Sequence, residues 1–125
     1  MLFAFLSLVQ SFEFTSDILH LTVLPPNDGK PYFVMVHSDG CGHCQRLAPA
    51  FCKAAELGEG FATYAELNCN VNKTACLELR IEGVPRLFHF YNGIIHPYEG
   101  TQLSRVMANW ASLFINDTAL LVDAD

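Results

Sequence analysis

Cys41-Gly42-His43-Cys44 places two cysteines one helical turn apart, between an apolar run and an amphipathic stretch. Tyr32 to Val36 reads Tyr-Phe-Val-Met-Val, aromatic and β-branched, which predicts a buried strand. Ser38-Asp39-Gly40 ends it. Leu47, Ala50, Phe51 and Ala54 then recur at i, i+3, i+4 and i+7, the stripe of a helix with one buried face. Cys41 thus stands at the mouth of a helix, where unpaired N–H groups and the positive dipole end favour a thiolate. A thiol of pKa near ~8.5 is only ~3% ionised at neutral pH, whereas one near ~6 is about 90% ionised. Cys44 is placed to reach back and close a small ring with Cys41. The chemistry on offer is attack on sulfur. The competing use of a C-x-x-C pair is half of a zinc site, which needs two further ligands at close spacing. Cys69 and Cys76 have six residues between them, so a second knuckle is missing.

The elements that must position this pair fit a single domain. The 125 residues are long enough to bury one core, and 51% hydrophobic content argues against disorder. With 7 basic and 13 acidic residues the net charge is −6 and there is no basic run, so nucleic-acid binding has no support. Five cysteines point to an oxidising compartment, and the odd count leaves at least one outside a pair. Leu2 to Val9 is apolar but for Ser7, and Val9 and Ser11 suit a cleavage site, so residues 1–11 are expected to be a signal peptide. No Lys or Arg precedes the run, and a buried first strand or a truncated start competes with that reading. Asn72-Lys73-Thr74 and Asn116-Asp117-Thr118 are glycosylation acceptor triplets, consistent with a secretory route. No later segment is long enough to span a bilayer, and the final Val122-Asp123-Ala124-Asp125 is not a retrieval signal of the Lys-Asp-Glu-Leu type.

Along the chain, Phe12 to Phe14 is expected as a first strand, and Ser16-Asp17 as the cap of a short helix. Pro25-Pro26-Asn27-Asp28-Gly29 is a loop. Phe61 to Asn68 reads as a strand with Phe61, Thr63, Ala65 and Leu67 on one face, and Asn72 to Leu79 as a short helix. Leu87 to Tyr91 and Ile94 to Tyr98 flank Asn92-Gly93, a hairpin signal. A last helix from about Thr101 is expected to bury Leu103, Val106, Met107, Trp110 and Phe114. The order is β-α-β-α-β-α-β-β-α, an α/β chain, with a domain over 12–115 and a tail over 116–125.

The segment from Asp39 to Pro49, Asp-Gly-Cys-Gly-His-Cys-Gln-Arg-Leu-Ala-Pro, resembles the active-site segment of the thioredoxin superfamily, in its Cys-Gly-His-Cys protein disulfide isomerase branch. The resemblance implies a thioredoxin fold, a central mixed sheet flanked by helices, over roughly the same span. It implies that Pro85 in Gly83-Val84-Pro85 is cis and faces the cysteines, with the Val84 backbone left to pair with an extended client peptide. Gly40 takes the place of the family's tryptophan and is counted with Val84 and Pro85 as substrate-binding. Arg86 replaces a threonine and should make the groove rim more basic. Met35 stands where the family has a buried glutamate that moves protons on and off the second cysteine. His37, on the same strand face, is a candidate proton carrier or a packed histidine. Gln102 takes the place of an arginine, whose role Arg105 is a candidate to cover. Cys69 and Cys76 look like the extra pair of some isomerase-like domains, a structural bond of roughly 2–3 kcal/mol or a shuttle disulfide. Cys52 is expected as a buried, inert thiol.

The implied activity is thiol–disulfide exchange carried by Cys41, Cys44 and His43, with no metal or organic cofactor. The implied partners are unfolded or misfolded cysteine-containing proteins, plus an oxidase or glutathione for recycling. The chain would act as a monomer, in the endoplasmic reticulum lumen or secreted. A second class competes: a thioredoxin-like chaperone or client-binding module with weak redox turnover.

Overall fold

The computed structural model describes the backbone of residues 12–124 and side chains as far as Phe114. The expected signal peptide and the Asn116 side chain lie outside the described residues. The elements are α1 (Ser16–Val23), β1 (Tyr32–His37), α2 (Gly42–Leu57), β2 (Thr63–Asn68), α3 (Lys73–Glu78), β3 (Arg86–Tyr91), β4 (Ile94–Pro97) and α4 (Ser104–Ala124). The residues assigned to a tail therefore continue α4 as far as Ala124. The sheet order is β2-β1-β3-β4, with β1 parallel to β2 and antiparallel to β3. This is the thioredoxin fold.

Phe12 to Phe14 is a bridge rather than a full strand. Glu13 pairs with Glu66 in parallel, and among the described residues two backbone bonds form, Phe14 N–H to Glu66 O and Glu66 N–H to Phe12 O, both 2.8 Å. The cap of α1 falls one residue earlier than expected: the Thr15 hydroxyl accepts the Ile18 N–H, while Ser16 donates to Glu78. Asn92 and Gly93 both have positive φ, 51° and 78°, as a tight turn between twisted antiparallel strands requires. β2 starts at Thr63, because the Phe61 N–H closes a turn onto Gly58 and leaves its ring exposed.

Every side chain of β1 is buried, and alternation sends them into two layers. Phe33 and Met35 join Cys44, Leu47, Phe51 and Met107 under α2 and α4. Val34 and Val36 join Phe14, Leu19, Leu67 and Phe90 on the opposite face. A central strand covered on both sides reads as a continuous apolar run, which is why it was recognisable. The stripe expected of α4 is corrected: Met107, Ala108 and Ala111 are buried, but Leu103 and Val106 are 60% and 39% exposed. The helix starts only at Ser104, whose hydroxyl donates to the Ala50 carbonyl at 3.0 Å. That bond ties α4 to α2, and the small Ala108 and Ala111 join the core there, turning Leu103 and Val106 outward.

His89 lies buried in the aromatic cluster at the α4 side, stacked on Phe114 at 4.0 Å and edge-on to Trp110. Burial drives its imidazole down to about 3, with His96 adding and the Ala111 backbone opposing weakly. The unfolded chain takes up this proton near ~6.5 and the native one does not, so native stability rises with pH across that window. The contribution is fully present above about pH 6.5 and is lost as pH falls toward 3. His89→Phe should therefore flatten the fall in urea midpoint between about pH 6.5 and 4, removing on the order of 2–4 kcal/mol of pH-dependent loss. Equal slopes in the two proteins would assign the acid sensitivity to carboxylates alone.

Candidate functional site

The site is built at the junction of β1 and α2. Gly40 has φ 77°, a left-handed turn that a tryptophan would adopt only with strain, and an added Cβ there would meet nothing within 4 Å. Gly40 is thus the turn residue of an open rim. The chain then extends at Cys41 (φ −85°, ψ 107°), which serves as the N-cap of α2. The Cys41 Sγ accepts the Cys44 N–H at 3.0 Å. A sulfur holding an N–H at a helix N-terminus is stabilised as the thiolate when the bond is reduced. Cys41 and Cys44 are joined as a disulfide with Cα atoms 5.2 Å apart. Cys41 is half-buried and Cys44 fully buried, on the same helix face as Leu47, Ala48 and Phe51. One sulfur can be reached from solvent and the other cannot.

His43 is exposed, and its Nε2 lies 3.2 Å from Gln102 Oε1. Gln102, which stands where the family carries an arginine, thus brings an amide against His43. Arg105 is exposed on α4. Arg46, which sequence reasoning passed over, curls back over the start of its own helix, where a Cβ added to Gly42 would meet its Nη1 at 3.4 Å. The Arg86 guanidinium stacks over the Phe88 ring, 4.9 Å from the centroid.

The Val84-Pro85 bond is cis. Val36 pairs with Arg86, so Pro85 lies one step beyond, level with His37 at the end of β1. His37 is completely buried, with Nε2 2.7 Å from Glu66 Oε1. Glu66 was also missed. The alternation that places Ala65 and Leu67 on one face of β2 assigns Tyr64, Glu66 and Asn68 to the other, the face beneath α2.

Cys69, just past β2, is bonded to Cys76 in α3, with Cα atoms 5.7 Å apart. Both line a groove of about 420 Å³ with Ser38, Leu77, Ile81 and Val84. Cys52 is buried outside both disulfides, and burial, with Glu56 and Glu66 adding, pushes its thiol up to about 11.

The thioredoxin family profile matches residues 9–112, and the chain belongs to that family. It is 31% identical over 94 residues to DnaJ homolog subfamily C member 10 of Xenopus laevis, covering 74% of this chain and 12% of that protein. It is 31% identical over 115 residues to probable protein disulfide-isomerase ER-60 of Schistosoma mansoni, 87% of this chain and 23% of that one. Protein disulfide-isomerase of Saccharomyces cerevisiae is 36% identical over 74 residues, 56% and 14% of the two chains. The chain thus spans less than a quarter of the length of these curated relatives. Its backbone superposes on the J-Trx1 fragment of ERdj5 with a TM-score of 0.68 at 27% identity, over 72% of this chain and 45% of that fragment. No helix among the described residues is long and apolar enough to cross a membrane.

Replacing Cys69 and Cys76 together by Ala should lower stability by about 2–3 kcal/mol, as loss of a short closed loop does. The reduction potential of the Cys41–Cys44 pair, read by glutathione equilibration, should stay unchanged. Intact stability with collapsed turnover would instead make this pair a shuttle.

Proposed function

We propose that the chain is a thiol–disulfide oxidoreductase domain acting on cysteines of folding secretory proteins, in the manner of a protein disulfide isomerase. The observation that carries this reading is the Cys41 sulfur at the N-cap of α2, accepting the Cys44 N–H while its bonded partner is buried. Cys41 thiolate attacks a client disulfide and forms a mixed disulfide. Cys44 then displaces the client, or the client's own thiols do so first, which is isomerisation. In reverse, the Cys41–Cys44 disulfide passes to a reduced client. His43 favours that direction, because its charge, when present, stabilises the reduced thiolate. Val84, at the cis bond, offers backbone to an extended client segment. The endoplasmic reticulum lumen or the secretory route suits this chemistry, with an oxidase or glutathione resetting the pair.

A second reading is favoured by one observation. Leu103 and Val106 are exposed close to Gln102, which touches His43, and Leu77 is exposed beside the groove at Val84. Apolar surface flanking the disulfide suits a domain that holds clients as well as reacting with them. Reduction of insulin separates the two, since a pure holdase binds unfolded protein and leaves insulin disulfides intact.

Alkylation of the reduced chain near neutral pH should label Cys41 first. Cys41→Ser should bring exchange down to the buffer rate, and Cys44→Ser should accumulate mixed disulfides with clients. Preferential labelling of Cys44 would reverse the roles.

A further inference from the structure

The buried Cys44 must lose its proton before it can attack, and Met35, directly beneath the helix, has nowhere to put one. The side chains around Met35 supply what it lacks. α2 follows β1 through a short loop and runs back along it, with the Phe51 ring against Phe33 at 5.8 Å. From that contact, seven helical residues back to Cys44 span about 10 Å. Two strand residues forward to Met35 span about 7 Å, and four to His37 about 13 Å. Cys44 therefore stands over β1 between Met35 and His37, and shares its core cluster with Met35. Met35 pairs in register with Glu66 on β2, and parallel partners point to the same face. His37 and Glu66 thus flank Met35 along the strand and across the sheet, and they touch, with Nε2 and Oε1 2.7 Å apart. His37 is fully buried and the Glu66 side chain is 12% exposed. A carboxylate at Nε2 holds the proton there and leaves Nδ1 as the basic nitrogen.

We propose that the His37–Glu66 pair is the proton acceptor for Cys44, with Glu66 a positioning residue that acts through His37. This rests on the exchange reading above. In the step, Cys44 S–H gives its proton to the pair and the Cys44 sulfur bonds to Cys41 Sγ. The bond from Cys41 to the client sulfur breaks, and the client leaves as a thiolate that is protonated from solvent. The client sulfur is reduced and the Cys41–Cys44 pair is oxidised to a disulfide. In the reverse direction the pair returns the proton to Cys44.

The other titratable groups on the surrounding elements are His43, Arg46, Lys53 and Glu56, all exposed on α2, with buried Cys52 on α2, Tyr64 on β2, buried His89 on β3 opposite Phe33, Glu13 at the bridge, and Asp39, which accepts from Asn68. Burial pushes Cys52 up to about 11 and Tyr64 further still, so neither titrates near neutral pH. Arg86, on β3, belongs to the opposite face with Val36. The buried residues of α4 are Met107, Ala108 and Ala111, none of them ionisable.

The test uses the full chain with Cys41–Cys44 reduced and Cys69–Cys76 still bonded, with Ellman's reagent in a stopped-flow spectrometer. Labelling of Cys41 releases one thionitrobenzoate, and attack by Cys44 releases the second. With the pair as acceptor, the second phase should climb by clearly less than tenfold per pH unit around neutrality. Glu66→Gln and His37→Gln should each slow it about tenfold or more near neutral pH, with the deficit narrowing as rising pH lets hydroxide take the proton instead. An unchanged rate in both variants overturns the proposal, as does a loss of the same size at every pH. Should neither variant fold, the unmodified chain decides: a tenfold climb per pH unit from about pH 6 to 8 overturns the proposal. A chain that takes the label but shows no second release at any pH refutes the exchange reading itself, and this inference with it.

Discussion

The N–H of Cys44 directed at the sulfur of Cys41 is the contact on which the site depends. It exists because α2 begins at Gly42, and α2 begins there because Gly40 turns with positive φ and Cys41 stays extended. A hydrogen bond to a charged acceptor contributes about 1.5–3 kcal/mol, and the helix terminus about 0.3–1 more. Both favour the thiolate of Cys41 once the disulfide is reduced, the hydrogen bond more than the helix terminus. The direction of the helix is held from far below: Phe51 against Phe33, and Ser104 bonded to the Ala50 carbonyl. Reactivity at one end of α2 is thus maintained by packing two turns away, which no inspection of the four-residue motif would reveal.

The same packing sets two demands against each other. Burying Cys44 keeps it from solvent and leaves Cys41 as the more accessible sulfur of the pair. Burial also makes ionisation of Cys44 unfavourable, so an apolar floor alone would trap the mixed disulfide. Met35 gives that floor, and the ionisable pair beside it is split between β1 and β2. A carboxylate need not occupy one fixed position to serve a neighbouring helix. It must lie on the right face at the right height, and register between parallel strands can place it on the adjacent strand.

What could be read from the sequence was whatever has a local cause. The strand at Tyr32, the helix after Cys44 and the turn at Asn92-Gly93 each depend on side chains within a few residues, and each is present. The thioredoxin fold came from the resemblance of the Asp39 to Pro49 segment, which the order of elements also fitted. What could not be read depends on distant partners. Leu103 and Val106 fit a helical stripe, but only the bond from Ser104 to Ala50 and the small residues of α4 show that the stripe is rotated. Phe12 to Phe14 has strand composition, yet its pairing stops at the bridge to Glu66. Glu66 itself gave a signal in the alternation of β2, but its meaning appears only when β2 is laid beside β1 in register.

The two disulfides differ in what surrounds them rather than in their chemistry. Cys41–Cys44 caps a helix of 16 residues that is anchored along its length and does not need the bond to persist. Cys69–Cys76 ends in α3, a helix of only 6 residues whose N-cap, Asn72, makes no side-chain capping bond. Such a helix is unstable alone. It is tethered twice, by Cys76 to the end of β2, and by Glu78 to His20 and Ser16 of α1, contacts that lower the Glu78 carboxyl below its ordinary range. Because Cys76, Leu77 and Val84 line one groove, the wall beside the cis bond is only as firm as those tethers. The first disulfide thus sits on a helix held by its own packing, whereas the second ties down a short helix that walls the groove at Val84.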